Sequence, residues 1–237
     1  MKYAVILAGG IGSRMSAVLP KQFIELQGEA IIIKTIRKIV SSKLFDAIVV
    51  IIHRDWKEYL IKLLTRVNFS IEHIFFTEGG KERLDSIRNA TRFIVSEFGE
   101  SQKEDVVVIF DAVRPFVSQQ IMQDSLNALL THDAVVASVP VVDTMLFVEE
   151  GTLVHSMPNR SKLFHGQAPD SFKLTILNQA LNDLSEEEEK IITGTAQICM
   201  LKGIEVHTIP GDPENIKVTT PFDVQLAELL CKTRGEL

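Results

Sequence analysis

Short, almost continuously apolar runs alternate along this chain with longer stretches in which apolar residues recur at helical spacing. The runs are rich in valine and isoleucine and cover residues 3–7, 47–52, 73–77, 106–110 and 134–139. Strands that are apolar on both faces are typical of a sheet buried between helices. The intervening stretches 82–98 and 118–130 carry helical spacing, and Ser118 is placed to cap the second of them. The pattern therefore predicts an α/β fold with a mostly parallel sheet.

The alternation breaks once, between residues 141 and 172, where a hairpin is predicted. Its strands are residues 145–148 and 153–156, joined by a Glu149-Glu150-Gly151 turn. Because two short strands alone are marginally stable in water, we expect this arm to pack on something, and a second subunit is the obvious partner. We therefore expect one domain over residues 1–237 with a dimerisation arm at about 143–165. The acidic run 186–189 is interpreted as a solvated helix start.

A glycine turn follows the first predicted strand. Gly9, Gly10 and Gly12 lack the Cβ atom that would keep a ligand away from backbone amides, and such amides bind phosphate oxygens. Arg14 and Lys21 add two positive charges nearby, which suits a nucleoside triphosphate. The spacing excludes the dinucleotide fingerprint and the P-loop. An ordinary strand-to-helix turn explains the glycines alone equally well, and it is the two cations that favour a phosphate site.

Two further segments carry candidate chemistry. Asp111 ends the fourth predicted strand, where its carboxylate could hold Mg²⁺ or accept a hydrogen bond from a substrate hydroxyl. Arg114 offers a forked donor for phosphate, although an Asp–Arg pair could instead stabilise the loop. Lys217 is a lone cation, either a surface lysine or one aimed at the phosphates. All these segments lie at predicted carboxyl ends of strands, which indicates a single site.

Composition narrows the class of protein. The 237 residues are 46% hydrophobic and 24% charged, as in a soluble globular protein. The net charge of −6 argues against a nucleic-acid partner. Cys199 and Cys231 are far apart without a CxxC motif, so we expect neither a disulfide framework nor a zinc site. We also expect no signal peptide and no membrane span, and hence a cytoplasmic protein.

Five motifs, in order along nearly the whole chain, now support a resemblance to a known family. They are LAGGxGxRM…PKQF, DAVRPF, PVxDT, PNR with GQxPxxF, and NIKVTTPxD. Together they resemble the cytidylyltransferases that join CTP to a sugar-alcohol phosphate, either 2-C-methyl-D-erythritol 4-phosphate or D-ribitol 5-phosphate. The opening KYAVILAGGIGSRM, with Val113 and Phe116, is similar to the ribitol-phosphate branch. The resemblance implies a three-layer, Rossmann-like sheet of the nucleotidyltransferase type, a homodimer and Mg²⁺ as cofactor.

The resemblance also implies roles for residues at matching positions. The catalytic cations would be Arg14, Lys21 and Lys217. The nucleotide would contact Leu7, Ala8, Gly9, Gly10, Gly12, Gly80, Lys81, Ser86, Asp111 and Ala112. The sugar phosphate would contact Asp111, Arg114, Thr144, Thr219 and Arg160, the last of these donated by the arm to the neighbouring subunit's site. Asp111 would also be the metal ligand.

The implied reaction needs no strong base, because a phosphate is already ionised near neutral pH when it attacks the α-phosphorus of CTP. Six scattered histidines without a nucleophile–base arrangement agree with that. Ala168, Asp170 and Gly194 depart from the family pattern on the substrate side, so they leave the acceptor open. The alternatives are the erythritol-phosphate enzyme of isoprenoid synthesis, a GTP- or UTP-dependent relative, and a nucleotide-binding protein with weakened catalysis. With ribitol phosphate, the product CDP-ribitol would feed a cell-surface polymer.

Overall fold

The computed structural model describes residues 1–10 and 19–235 of the chain, and strands and helices alternate through most of it. The strands are β1 Lys2–Ala8, β2 Glu25–Leu26, β3 Glu29–Ala30, β4 Ala47–Ile52, β5 Ile74–Glu78, β6 Val106–Asp111, β7 Ala134–Pro140, β8 Phe147–Val148, β9 Val154–Ser156, β10 Phe164–Lys173 and β11 Val206–Pro210. The helices are α1 Ile31–Ser42, α2 Arg54–Arg66, α3 Arg83–Phe98, α4 Gln119–Ala128, α5 Leu174–Asn182, α6 Glu186–Ile191, α7 Thr195–Leu201 and α8 Pro221–Thr233.

Seven strands form one mostly parallel sheet in the order β11-β7-β10-β6-β1-β4-β5. β1 lies between β4 and β6 and is parallel to both, which brings Leu7 beside Asp111. The long strand β10 runs antiparallel to β6 and β7. The predicted α/β class and mostly parallel sheet are confirmed. β10 and β11 were not predicted, because Gly166, Pro169 and Asp170 interrupt the first and alternating polar residues the second.

Both faces of the sheet are covered, which accounts for the continuous apolar runs. Successive side chains of β1 point to opposite faces: Ala4 and Ile6 join one buried cluster, whereas Tyr3 and Val5 join another. The first cluster includes apolar residues of α1, α2 and α4, and the second includes those of α3, α5 and α7. The result is the predicted three-layer arrangement of helices, sheet and helices.

Local hydrogen bonds fix where the helices begin. Ser118 caps α4, as predicted, by accepting from the Ile121 N–H, and Ser185 caps the acidic helix α6. The capping box at α3 is formed by Glu82 and Asp85. This helix begins beside the ends of β1 and β6, since Ser86 lies close to Gly9 and Arg83 contacts Asp111. Helix starts of this kind place backbone N–H groups and first-turn side chains near the strand ends.

The predicted hairpin is present as β8 and β9, which pair antiparallel with each other and are exposed along their whole length. Large apolar side chains around it face solvent in this chain, with Leu153 78% exposed and Met157 69% exposed. An apolar surface of this kind marks an interaction site more often than a solvated loop. Across the described residues, none of the helices has the length and apolar character that a membrane span requires.

Candidate functional site

The glycine turn after β1 meets the loop after β5 at very close range. A Cβ atom added to Gly9 would lie 3.5 Å from the Cα atom of Gly79 and 3.5 Å from the Oγ atom of Ser86. One added to Gly80 would lie 2.0 Å from the Cβ atom of Asp85, so only glycine fits there. The Ser86 hydroxyl accepts a hydrogen bond from the Gly80 N–H at 3.1 Å, which fixes this loop at the start of α3.

A cavity of about 190 Å³ opens over these two turns and collects most of the residues predicted to bind nucleotide. It is lined by Leu7, Ala8, Gly9, Gly10, Lys21, Gln22, Gly80, Lys81, Glu82, Arg83, Ser86, Asp111, Ala112, Val113 and Lys217. Gly12 and Arg14, which were also predicted to act here, lie outside the described residues. Backbone from two glycine turns and side chains of Lys21 and Lys217 thus surround one anion-sized space.

Lys21 is held beside the glycine turn by its neighbour in the chain. The segment Lys21–Phe23 forms one turn of 3₁₀ helix, and Gln22 within it is buried. The Gln22 Nε2 group donates to the carbonyl oxygen of Ala8 at 2.8 Å. Because a buried amide gives up a hydrogen bond only at a cost, this contact ties the position of Lys21 to the end of β1.

Asp111, at the end of β6, is the centre of the charged site. Its Oδ1 atom accepts from Arg83 Nη1 at 2.9 Å, and its Oδ2 atom lies 3.1 Å from both Arg114 Nε and Lys217 Nζ. Burial alone would raise the pKa of Asp111, but Arg83, Lys217 and Arg114 together hold it well below its usual value. Asp111 is therefore ionised and organises three cations from three separate segments.

This arrangement bears on the predicted metal. Both oxygens of Asp111 already face cations, and the described residues contain no group of three or more histidine, cysteine, aspartate or glutamate side chains that could hold an ion. These donors do not by themselves fit Mg²⁺, which needs six oxygen ligands in near-octahedral geometry. An ion here would have to arrive with triphosphate oxygens, and the role of Asp111 as its ligand stays a prediction.

A second cavity, of about 300 Å³, lies on the other side of the charged cluster. It is lined by Arg83, Asp111, Arg114, Val136, Gly166, Gln167, Ala168, Asp170, Thr193, Gly194, Thr195, Ala196 and Lys217. The three departures from the family pattern all lie in this wall. Because Arg83, Asp111 and Lys217 line both cavities, two anionic ligands bound side by side would share these three side chains.

Arg114 is anchored to the segment that carries Lys217. Its Nη1 group donates to the carbonyl oxygen of Asn215 at 2.6 Å, and the buried Asn215 side chain donates to the carbonyl oxygen of Ala168 at 2.8 Å. The 215–219 segment is thereby fixed between β6 and β10. These contacts explain how Lys217, predicted from a weak sequence signal, reaches Asp111.

Three predicted substrate residues are not brought to these cavities within the chain. The Thr219 hydroxyl donates to Asp223 at 2.8 Å and so helps to begin α8. Thr144 lies on the exposed arm, and Arg160 at its base donates from Nη1 to the carbonyl oxygen of Val142 at 2.9 Å. Their roles in substrate binding stay predictions, and the role predicted for Arg160 is in the neighbouring subunit's site.

Sequence reasoning missed Arg83. As the first residue of α3 it is one of several charged residues in a row, which is typical of a solvated helix start. Nothing in the local pattern indicates a contact with Asp111, which is 28 positions away. The strand order supplies that contact, because the start of α3 and the end of β6 lie at the same edge of the sheet.

The parallel sheet, the paired glycine turns and the cation-lined cavities at the strand ends define an α/β nucleotidyltransferase. Comparison with known proteins narrows this class. The family model described as 2-C-methyl-D-erythritol 4-phosphate cytidylyltransferase matches residues 2–233, and this chain belongs to that family. The predicted family and its CTP-dependent cytidylyltransferase class are thus confirmed.

Individual relatives agree with that assignment. The chain is 37% identical over 236 residues, 99% of its length and 100% of the relative's, to a ribitol-5-phosphate cytidylyltransferase of Lactiplantibacillus plantarum. It is similar to the crystal structure of the 2-C-methyl-D-erythritol 4-phosphate cytidylyltransferase of Francisella tularensis, with 27% identity, a TM-score of 0.80, and coverage of 96% of this chain and 98% of that one. A 4-diphosphocytidyl-2C-methyl-D-erythritol synthase from Anaerococcus prevotii shares the fold, with a TM-score of 0.79 at 22% identity and coverage of 98% and 96%.

Proposed function

We propose that this protein transfers CMP from CTP to D-ribitol 5-phosphate, giving CDP-ribitol and pyrophosphate. The observation that carries the proposal is the 37% identity, over essentially the full length of both chains, to a ribitol-5-phosphate cytidylyltransferase. The two adjoining cavities support it, because glycine backbone with Lys21 and Lys217 in the first suits a triphosphate, and Arg114 in the second suits a phosphorylated acceptor.

The reaction moves charge towards groups that the site can stabilise. An oxygen of the acceptor phosphate forms a new bond to the α-phosphorus of CTP, the bond from that phosphorus to the bridging oxygen breaks, and pyrophosphate leaves with the electron pair. Lys21 and Lys217 line the nucleotide cavity and would stabilise the developing negative charge. Arg14 would add a further cation. Arg114, at the wall of the second cavity, would bind the acceptor phosphate with the N–H groups that its contacts to Asp111 and Asn215 do not use.

Mg²⁺ is part of the proposal as an ion carried by the nucleotide. It would be bound by triphosphate oxygens, with Asp111 as the carboxylate predicted to contact it, and it would supply positive charge that neutralises the phosphates. The residues described above would bind and orient the two substrates around it.

The direct test is pyrophosphate release from the purified protein with CTP and Mg²⁺, comparing D-ribitol 5-phosphate with 2-C-methyl-D-erythritol 4-phosphate. Release with the ribitol compound supports the proposal. Release with the erythritol compound alone would refute the acceptor while keeping the reaction, and replacing CTP with GTP or UTP tests the base. CTP binding without turnover on either acceptor would make the chain a nucleotide-binding protein.

Transfer to 2-C-methyl-D-erythritol 4-phosphate is the second candidate. It is favoured by the description of the family model and by the Francisella tularensis structure. Against it stands the higher identity to the ribitol-phosphate relative, 37% compared with 27% to the Francisella tularensis protein. The assay with both acceptors separates these candidates.

We further propose a cytoplasmic homodimer of single-domain chains joined through the arm at 143–165, with Arg160 acting in the partner's site. The exposed apolar side chains of the arm support this proposal. Leu153→Glu places a charge on that surface and should yield monomers in sedimentation, whereas Thr152→Glu beside it is the matched control. Retention of the dimer by Leu153→Glu would overturn the arm as its interface.

Complementation tests whether Arg160 acts between subunits. Lys21→Ala and Arg160→Ala are each expected to be inactive. In a mixed dimer, one of the two sites would have Lys21 from one chain and Arg160 from the other. Mixing equal amounts should then restore about a quarter of the wild-type activity. No recovery from dimers shown to have exchanged subunits would place Arg160 outside the partner's site.

A further inference from the structure

Arg83 lines both cavities, and its guanidinium group is held at two points. Nη1 donates to Asp111 at 2.9 Å. Nη2 donates to the hydroxyl of Thr195 at 3.3 Å and lies 3.8 Å from the Oδ2 atom of Asp170. A planar guanidinium fixed at both ends has a fixed orientation, whereas one fixed at a single end can swing about its long side chain.

We propose that Asp170 is a positioning residue, which together with Thr195 fixes Arg83 against Asp111 and so sets the charge between the two cavities. This rests on the proposed function. Asp170 and Thr195 are largely buried, with the Asp170 side chain 13% exposed and Thr195 1% exposed, so both have fixed places on β10 and α7. The Arg83 side chain, 35% exposed, is the most exposed member of the group.

The two carboxylate oxygens of Asp111 contact different cations. Oδ1 is left to Arg83, while Oδ2 is shared by Arg114 and Lys217. If Arg83 turned away, the buried Oδ1 atom would lose its partner, and Asp111 would draw Arg114 or Lys217 towards it. Those two cations would then be displaced from the phosphates they are proposed to meet. Asp170 therefore acts on the reaction through Arg83 and not by touching substrate.

The position also offers a reason for the departures at residues 170 and 194. Gly194 has open space where a Cβ atom would lie, and it precedes Thr195 directly. In the wall of the second cavity, β10 thus supplies the Asp170 carboxylate, whereas Gly194, just before α7, has no side chain. This arrangement places the negative charge next to Arg83 and leaves room beside it for the acceptor.

A double-mutant cycle tests the proposal, using Asp170→Asn, Arg83→Gln and the double variant beside the wild type. Because displacement of a catalytic group by about 1 Å can cost up to about 100-fold in rate, we expect Asp170→Asn to lower kcat by roughly tenfold or more with little change in the KM for CTP. In the Arg83→Gln background the same change should cost less than about twofold. Asp133→Asn, which removes an exposed carboxylate paired with Lys173 at 3.0 Å, is the control and should keep full activity.

An equal loss in both backgrounds would mean that Asp170 acts on the substrate directly, and no loss from Asp170→Asn would mean that it does not act at all. Either result overturns the proposal. Thr195→Val removes the other contact to Nη2 and should lower kcat in the same Arg83-dependent way, which covers a failure of Asp170→Asn to fold. Should the wild type have no turnover, the proposed function fails. The cycle is then read from urea unfolding, where independent effects of the Asp170 and Arg83 changes would refute the coupling.

Discussion

Replacing Asp111 with asparagine removes a negative charge that contacts Arg83, Arg114 and Lys217 together. An asparagine side chain has one acceptor oxygen, so it can satisfy either Arg83 or the other pair but not both. Breaking a buried ion pair costs about 3–5 kcal/mol. Because the Arg83 and Lys217 side chains are 35% and 40% exposed, solvent relieves part of the cost. We therefore expect a loss of about 2–3 kcal/mol in the free energy of unfolding.

The assay is thermal unfolding at pH 7 together with turnover. For a chain of this size, the expected loss corresponds to a Tm lowered by about 5–10 °C. Asp105→Asn is the matched control, because Asp105 is equally buried at the opposite end of β6 and pairs with the N-terminal ammonium group. It should also lower Tm but leave kcat intact. A Tm for Asp111→Asn within about 1 °C of the wild type would refute the idea that Asp111 organises the cations.

The same variant separates the two roles considered for Asp111. If the carboxylate organises cations, Asp111→Asn should change the affinity for CTP by the same factor with Mg²⁺ and with a chelator. If it is a metal ligand, the loss should occur only when Mg²⁺ is present. Isothermal titration with CTP under both conditions measures the difference, since the protein's charge change is identical in the two experiments.

Three further predictions concern single side chains. Lys21→Ala should lower kcat by about 100-fold or more while the Kd for CTP stays within about threefold, measured by turnover and titration, and equal turnover would contradict its role. Gly80→Ala should abolish CTP binding in titration, because the new Cβ atom would lie 2.0 Å from that of Asp85. Asp170→Asn should raise the free energy of unfolding at pH 7. Burial raises the pKa of Asp170, although Thr195 and Arg83 act in the opposite direction, and ionisation of this carboxyl therefore destabilises the fold. In urea unfolding, that gain should fade as the pH falls through the raised pKa, where the folded carboxyl takes up its proton. A gain that does not change with pH would refute the linkage.

The sequence was sufficient for the parts of the fold that depend on local pattern. Strands buried on both faces, such as β1 and β4, are visible as continuous apolar runs, and caps such as Ser118 fix helix starts with nearby residues alone. β10 was missed because its pairing depends on β6 and β7, which flank it in the sheet but not in the chain. Its polar residues are tolerated because neighbouring strands satisfy the backbone while Asp170 faces Arg83.

The same distinction explains the site. That Gly9, Gly10 and Lys21 line one cavity could be predicted because they lie within one short segment. The role of Arg83 could not, because it depends on Asp111, Thr195 and Asp170 arriving from three other elements. Sequence spacing gives the types of residue available at the strand ends, and the strand order decides which of them meet.

The charged cluster also explains how an acidic protein can hold polyanionic substrates. The chain carries a net charge of −6, so its long-range field opposes the approach of a nucleoside triphosphate. At the strand ends, Arg83, Arg114 and Lys217 face the two carboxylates of Asp111 and Asp170, which leaves a local excess of positive charge. Since exposed charges more than about 10 Å apart are screened in salt while close, partly buried ones are not, the cluster decides binding once the ligand is inside the cavity. The carboxylates therefore serve to orient the cations, and the acidic surface has little influence on the bound state.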